Sequence, residues 1–159
     1  MGKILVTYFS ASGVTKRIAE ELAKVRKADL FEIRPETPYT AADLNWTNQQ
    51  SRSTLEMKDP SCRPAIAGGV EDVAQYDVVF IGFPIWWNRE PSVVDTFLEA
   101  YDFSGKKIVP FCTSGGSGIA DASKRIRELA GGARVEEGMR LGGEVSEKDL
   151  ETWTSGLGL

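Results

Sequence analysis

Ser10-Ala11-Ser12-Gly13-Val14-Thr15 follows the apolar run Ile4–Phe9 and leads straight into a segment with helical periodicity. A strand–turn–helix junction of this kind can hold an anion with its backbone alone. The first amides of a helix have no intrahelical acceptor, and the helix dipole makes that end favourable to negative charge. Ser10, Ser12 and Thr15 can add hydroxyl donors, and Gly13 lets the backbone come close to a ligand. The loop holds no Lys or Arg. A phosphate bound here would rest on neutral donors, which suits a resident monoester better than a nucleotide awaiting hydrolysis. Small hydroxyl residues at such a turn are also good N-caps with no ligand at all, so this loop by itself leaves both readings open.

Two further segments could share one ligand with it. Gly82-Phe83-Pro84-Ile85-Trp86-Trp87-Asn88 puts adjacent tryptophans after an apolar run, between Pro84 and Asn88-Arg89, where a loop should be exposed. Large aromatics at an exposed strand end usually face something flat or a protein partner. Closing the core or forming a subunit contact is the alternative, which their position weakens. Thr113-Ser114-Gly115-Gly116-Ser117-Gly118 carries three glycines in six residues. It could be a flexible connection, but such a loop exposes backbone N–H and C=O groups to whatever lies against it. Together the three loops describe a ligand with a phosphate at one end and a flat ring at the other, and flavin mononucleotide (FMN) fits that description.

The elements that must position these loops alternate between strand and helix. Lys3–Phe9 reads as the first strand. Val14–Val25 reads as a helix whose Val14, Ile18, Leu22 and Val25 make one apolar stripe. Ala28–Arg34 is a second strand, stopped by Pro35. The stretch from Glu36 to Gln75 is irregular, except that Thr40-Ala41-Ala42-Asp43 looks like a capping box opening a helix through about Met57. Within it, Tyr39 and Trp46 are expected to pack on the sheet, with a ligand's edge or a partner surface as the alternative. Asp77–Phe83 is continuously apolar, as a central parallel strand should be. A helix begins at Pro91 and runs to about Ala100. Lys107–Cys112 is the fourth strand, Ile119–Ala130 a helix closed by Gly131-Gly132, and Arg134–Leu141 a weaker last strand. Ser146-Glu147-Lys148-Asp149 caps a terminal helix. Five alternations predict a parallel sheet with helices on both faces, whose ligand lies beyond the carboxyl ends of the strands.

Composition narrows the function. A chain of 159 residues, 42% hydrophobic and 26% charged, is expected to form a single domain over residues 1–159 and not a disordered segment. No run approaches the ~18 apolar residues of a membrane span, and the start of the chain lacks a secretory signal, so a cytoplasmic protein is expected. There is no histidine, which removes Ser-His and Cys-His pairs and imidazole metal sites. Cys62 and Cys112 make neither a disulfide framework nor a metal site in a chain of this size, and Cys112 reads as a buried inert thiol. A net charge of −4 disfavours nucleic acid as a partner. Gly13-Val14-Thr15 lacks the Lys of a P-loop, and Ser10-Ala11-Ser12 lacks the acidic pair of a signal receiver.

The chain resembles the flavodoxin family over nearly its whole length. Ser10–Thr15 matches that family's phosphate loop, Ser/Thr-x-Ser/Thr-Gly-x-Thr, at every key residue. Gly-Phe-Pro-Ile-Trp-Trp with the Pro-started helix after it, and Lys-Ile-Val-Pro-Phe-Cys-Thr-Ser-Gly-Gly-Ser-Gly, are similar to one subgroup. About twenty residues separate the fourth and fifth strands, which resembles the short-chain form. The resemblance implies a three-layer α/β sandwich with a five-stranded parallel sheet of order 2-1-3-4-5. It implies FMN held by Ser10, Ala11, Ser12, Gly13, Val14 and Thr15 at the phosphate. At the ring it implies Pro84, Ile85, Trp86, Trp87, Asn88, Thr113, Ser114, Gly115, Gly116 and Gly118.

The implied activity is electron transfer between redox proteins, a reductase donor and an acceptor enzyme, through the flavin semiquinone and hydroquinone, in a monomer with no nucleic-acid or membrane partner. Trp86 is the first choice for the stacking residue, with Trp87 next. Pro84–Asn88 is the place for a carbonyl facing the flavin N5, where a peptide flip is conceivable. The absence of Lys and Arg from Thr113–Gly118 would keep cations away from N1. Two departures from the better-known carriers are visible: Gly and Ser stand where those offer acidic residues and an aromatic, and the net charge is less negative. The same fold also carries FMN-dependent NAD(P)H oxidoreductases that reduce quinones or other small molecules. Gly115–Gly118 is small enough to leave room for a second ring, so an enzyme of that kind is the alternative to the electron carrier.

Overall fold

A computed structural model describes residues 3–114, 118–142 and 144–157. Strand β1 (Lys3–Tyr8) runs into helix α1 (Val14–Arg26), and β2 (Asp29–Glu32) follows. The next segment contains two two-residue strands, β3 (Arg34–Pro35) and β4 (Ile66–Ala67), with helix α2 (Arg52–Lys58) between them. Then come β5 (Tyr76–Pro84), α3 (Ser92–Ala100), β6 (Lys107–Thr113) and α4 (Ala120–Leu129). Short strands β7 (Arg134–Val135) and β8 (Met139–Arg140) precede α5 (Glu147–Ser155).

The main sheet is parallel throughout, in the order β2-β1-β5-β6, with β7 and β8 both paired to the far side of β6. The expected order and doubly wound class hold, but the fifth position is split into two pieces. The carbonyls of Lys106, Ile108 and Cys112 accept from Arg134, Glu136 and Leu141, so alternate residues of β6 face that position. Pro110 is one of them, and it has no N–H to donate. The register accordingly slips by one residue between the Ile108–Val135 and Phe111–Met139 pairs.

Side chains alternate across the sheet as strand geometry requires. Leu5, Val79, Ile81, Phe83, Ile108 and Cys112 pack on one face with Val93, Val94, Phe97 and Ile126 of α3 and α4. Val6, Tyr8, Phe80, Val109 and Phe111 pack on the other with Ile18 and Leu22 of α1 and Leu150 of α5. Phe80, Phe83, Phe97 and Phe111 are fully buried, each contributing about 1.5–3 kcal/mol. Gly82 is a steric requirement of this packing. It pairs in register with Phe111, and a Cβ there would lie 2.2 Å from the ring's Cζ. Cys112 is a buried free thiol, and burial pushes its pKa up to about 12, as expected for an inert residue.

One expected helix is mostly absent. Thr40 and Asp43 do make the reciprocal capping bonds, Thr40 N–H to Asp43 Oδ2 at 2.9 Å and Asp43 N–H to Thr40 Oγ1 at 3.1 Å. They close a single turn. The side-chain oxygens of Asn45 and Asn48 then accept from Thr47 N–H and Gln50 N–H, local bonds that compete with helix propagation. The helix starts only at Arg52, where Ser51 Oγ accepts from Thr54 N–H at 3.4 Å. No helix among the described residues is long and apolar enough to cross a membrane.

Candidate functional site

The loop between β1 and α1 has the geometry its residues suggest. Gly13 is the α1 N-cap at φ +96°, ψ −13°, a left-handed conformation that glycine adopts without the Cβ penalty. Ser10 Oγ accepts from Gly13 N–H at 3.0 Å, which leaves the Ser10 O–H free to donate outward. The first intrahelical bond runs from Arg17 N–H to Gly13 C=O at 3.1 Å. The amides of Val14, Thr15 and Lys16 lie ahead of it, without intrahelical acceptors. The first turn of α1 carries no acidic side chain, so nothing there opposes an anion at the positive end of the dipole. Ser12, Gly13 and Val14 are exposed, and Ser10 and Ala11 half-buried.

Thr113, the last residue of β6, joins all three loops. Its Oγ1 lies 2.9 Å from Thr15 Oγ1 in a buried hydrogen bond, and its carbonyl accepts from Ile85 N–H at 3.0 Å. The Thr15 hydroxyl is paired with Thr113; of the other two hydroxyl residues of the first loop, Ser12 lines the cavity between the loops and Ser10 a neighbouring one beside Phe9 and Tyr39. Both threonines position the loops relative to one another.

The second loop is built around a tight turn. Trp86 N–H donates to Arg89 C=O at 3.0 Å, and Arg89 N–H returns a bond to Trp86 C=O at 3.1 Å. Between them Trp87 and Asn88 have φ of +48° and +65°, the positive pair that defines a type I′ turn. Asn tolerates that conformation; a tryptophan there costs of order 1–3 kcal/mol and persists only where its surroundings impose it. The residues that close and follow the turn, Arg89 and Glu90, belong to a polar cluster. Glu90 and Asp95 are fully buried. Arg125 Nε donates to Glu90 Oε2 at 2.9 Å, and its terminal nitrogen donates to Asp95 Oδ2 at 2.8 Å and to Pro60 C=O at 2.7 Å. Arg89 reaches Asp95 at 3.3 Å and Met57 C=O at 3.4 Å. Arg63 lies 3.8 Å from Asp95 and donates to Glu99 at 2.6 Å. Burial foremost, then hydrogen bonding and charge from Asp95, pushes Glu90 up to about 9. Sequence reasoning passed over this anchor. Asp95, set among Val93, Val94, Phe97 and Leu98, was its one signal.

Trp86 is half-buried, and its ring meets Phe9 and Tyr39 edge-to-face at 5.6 and 5.5 Å between centroids. Tyr39 carries the Arg52 guanidinium 3.9 Å above its ring and donates a short hydrogen bond to Glu56. Burial, reinforced by Glu56, raises its pKa. Tyr39 thus packs behind Trp86. Trp46 does not pack on the sheet and is 72% exposed.

A cavity of about 370 Å³ lies between the loops, lined by Ser12, Val14, Pro84, Ile85, Trp86, Thr113, Ser114 and Leu141. It brings together residues from all three predicted loops. Trp87 and Asn88 are exposed on the turn beside it, and Gly118 is exposed at the start of the segment leading to α4. Gly115 and Gly116 fall outside the described residues. One cation missed in the sequence approaches this mouth. Arg140, from β8, donates to the Ser114 carbonyl at 3.3 Å. The third loop has no Lys or Arg of its own, yet the strand beside it supplies one.

The sequence profile described as flavodoxin matches residues 3–157. A candidate flavoprotein from Bacteroides eggerthii DSM 20697 is 44% identical, with 100% of this chain and 99% of that chain covered and a TM-score of 0.94. Another, from Bacteroides uniformis ATCC 8492, is 42% identical, with 97% and 98% covered and a TM-score of 0.92. A flavoprotein from Lactobacillus acidophilus NCFM, in complex with FMN, shares the fold at 22% identity, with 97% and 99% covered and a TM-score of 0.75.

Proposed function

The chain belongs to the flavodoxin family, and we propose that it holds FMN in the cavity between its three loops and carries electrons between redox proteins. The observation that supports this most is the convergence of the loops on one cavity of about 370 Å³, with a helix N-terminus at one side and Trp86 at another. The donor set fits the ligand. The free amides at the start of α1 and the hydroxyls of Ser10 and Ser12 are neutral donors for a phosphate monoester. Pro84, Ile85 and Trp86 offer apolar surface to a flat ring, and Trp86 is the candidate for stacking on it. When bound, the isoalloxazine supplies the redox chemistry, and the protein sets its electronics.

What this chain's own residues do is hold, orient and exclude. Thr15 and Thr113 fix the spacing between the phosphate loop and the loops at the ring. Backbone carbonyls of the Trp87–Asn88 turn would be the groups to meet the ring's edge, and the hydrogen bonds of Arg89 and Glu90 to Asp95 and Arg125 anchor the residues that close and follow that turn. Arg140 supports a second reading, the FMN-dependent NAD(P)H oxidoreductase. A cation beside the third loop favours negative charge on a reduced ring, and so favours delivery of electrons in pairs.

Anaerobic reductive titration of the purified protein separates these readings. A yellow protein that passes through a stable one-electron state with long-wavelength absorbance is the expected result for the carrier. Direct passage to the fully reduced form, with turnover of NADH or NADPH, would replace the carrier with the enzyme. Failure to retain or take up FMN would overturn both.

A further inference from the structure

A second cavity, of about 390 Å³, backs onto the first and is lined by Leu44, Trp46, Ser53, Ile85, Trp86 and Trp87. Ile85 and Trp86 border both cavities. The walls of the second are three indole rings and two aliphatic side chains, and none of its lining residues is charged. Ser53 is the one polar side chain among them. It is 2% exposed, and its hydroxyl has no hydrogen-bond partner among the described residues. Buried hydroxyls are nearly always paired, and leaving one unpaired is unfavourable. Two further features bear on the same place. Trp46 is 72% exposed and Trp87 48% exposed, a large apolar area to leave facing water. The strained turn at Trp87 holds its ring at this rim, and local strain of that kind concentrates at ligand sites.

We propose that this cavity is a second small-molecule site, for an uncharged planar aromatic ligand of about two fused rings with an oxygen or nitrogen at its edge to pair with Ser53. Its shape and lining match those of small-molecule sites generally: mostly apolar walls, aromatic surfaces, and few polar groups that fix orientation. The absence of charged lining residues disfavours a dinucleotide, whose pyrophosphate would find no cation here. A ligand seated there touches Ile85 and Trp86, which also border the neighbouring cavity. The proposal rests on the flavin reading only in calling the neighbouring cavity the flavin's.

Calorimetric titration of the FMN-loaded protein with coumarin tests this. Coumarin is flat and neutral, carries a carbonyl, and exchanges no electrons with a flavin. Naphthalene, of similar shape without the oxygen, is the comparison. One coumarin is expected to bind per chain. Ser53→Ala should weaken it about five- to tenfold and leave naphthalene unchanged, while Trp46→Ala should weaken both. Flavin content, read from visible absorbance, should stay at one per chain in both variants. No coumarin binding, or binding untouched by either substitution, overturns the proposal. Loss of FMN from Ser53→Ala and Trp46→Ala would also overturn it, because the cavity would then belong to the flavin. If the protein takes up no FMN at all, the flavin reading fails. The same titration of that protein then still decides this site.

Discussion

Replacing Gly13 with Asp and with Asn isolates the electrostatics of the phosphate loop. Gly13 sits at φ +96°, and a Cβ built there meets no atom within 4 Å, so either side chain fits sterically. Both pay the same kind of left-handed strain, roughly 1–2 kcal/mol, which Asp and Asn tolerate better than other residues. They differ in charge. In the protein without ligand, an aspartate at this N-terminus gains about 0.3–1 kcal/mol from the helix dipole, so Gly13→Asp should be the more stable of the two. With FMN the sign reverses. A phosphate monoester carries about −1.5 to −2 at neutral pH. At a separation of about 6 Å, with an effective dielectric of roughly 60–80 for this exposed position, the repulsion is about 1–2 kcal/mol. That corresponds to FMN binding roughly 5–30-fold weaker in Gly13→Asp than in Gly13→Asn. The assay is fluorescence titration of apoprotein with FMN and, separately, with riboflavin, which lacks the phosphate and should not distinguish the variants. Equal FMN affinity in the two variants would refute the phosphate assignment. So would a riboflavin affinity that falls as far as that for FMN.

Three further outcomes are expected. Gly82→Ala drives a Cβ to within 2.2 Å of Phe111, costing about 1–3 kcal/mol and lowering Tm by roughly 2–4 °C per kcal/mol; a smaller residue at 111 should restore part of it, and an unchanged Tm would contradict the packing described. Thr15→Val leaves the buried Thr113 hydroxyl unpaired and should cost about 1–3 kcal/mol in urea unfolding. The Thr15→Val, Thr113→Val double variant should cost clearly less than the two single losses together, and strict additivity would rule out the bond between them. Glu90, raised to about 9 from the roughly 4.3 of an unfolded glutamate, keeps a proton in the native state that the unfolded chain releases. Its contribution to stability is therefore fully present below about pH 4 and is lost as pH rises toward about 9. Glu90→Gln should flatten the fall in urea midpoint between about pH 5.5 and pH 9, and an unaltered slope would show that Glu90 does not hold that proton.

Much of this protein is legible in its sequence because the relevant physics is local. A period-two apolar run specifies a strand, and the Val14–Val25 stripe specifies one face of a helix. Gly13 before that helix specifies a left-handed cap, and Ser146 with Asp149 makes the terminal capping box, both of whose bonds form. Parallel β–α alternation then places the three loops at one end of the sheet. The same local logic failed between Thr40 and Met57. The Thr40–Asp43 bonds formed there, but Asn45 and Asn48 diverted the backbone before helix could propagate.

Other features depend on groups far apart in the chain. Thr15 and Thr113 are each legible as loop residues, but their pairing across 98 positions exists only once β1 and β6 are registered against β5. Arg140 reaches Ser114 only because β8 lies along β6. The polar cluster of Arg63, Arg89, Glu90, Asp95 and Arg125 draws on separate segments, and burial, which no single segment provides, raises the Glu90 pKa. Ser53 has no partner among the described residues, and the cavity it lines is assembled from the Trp86–Trp87 turn and the segment carrying Trp46. Sequence by itself determined most of the strands and helices and the chemistry each loop could offer, since these follow from neighbours along the chain. Tertiary structure alone decided which of those groups are spent on one another and which remain free for a ligand, because hydrogen-bond partners, dielectric and cavity shape are set by residues distant in sequence.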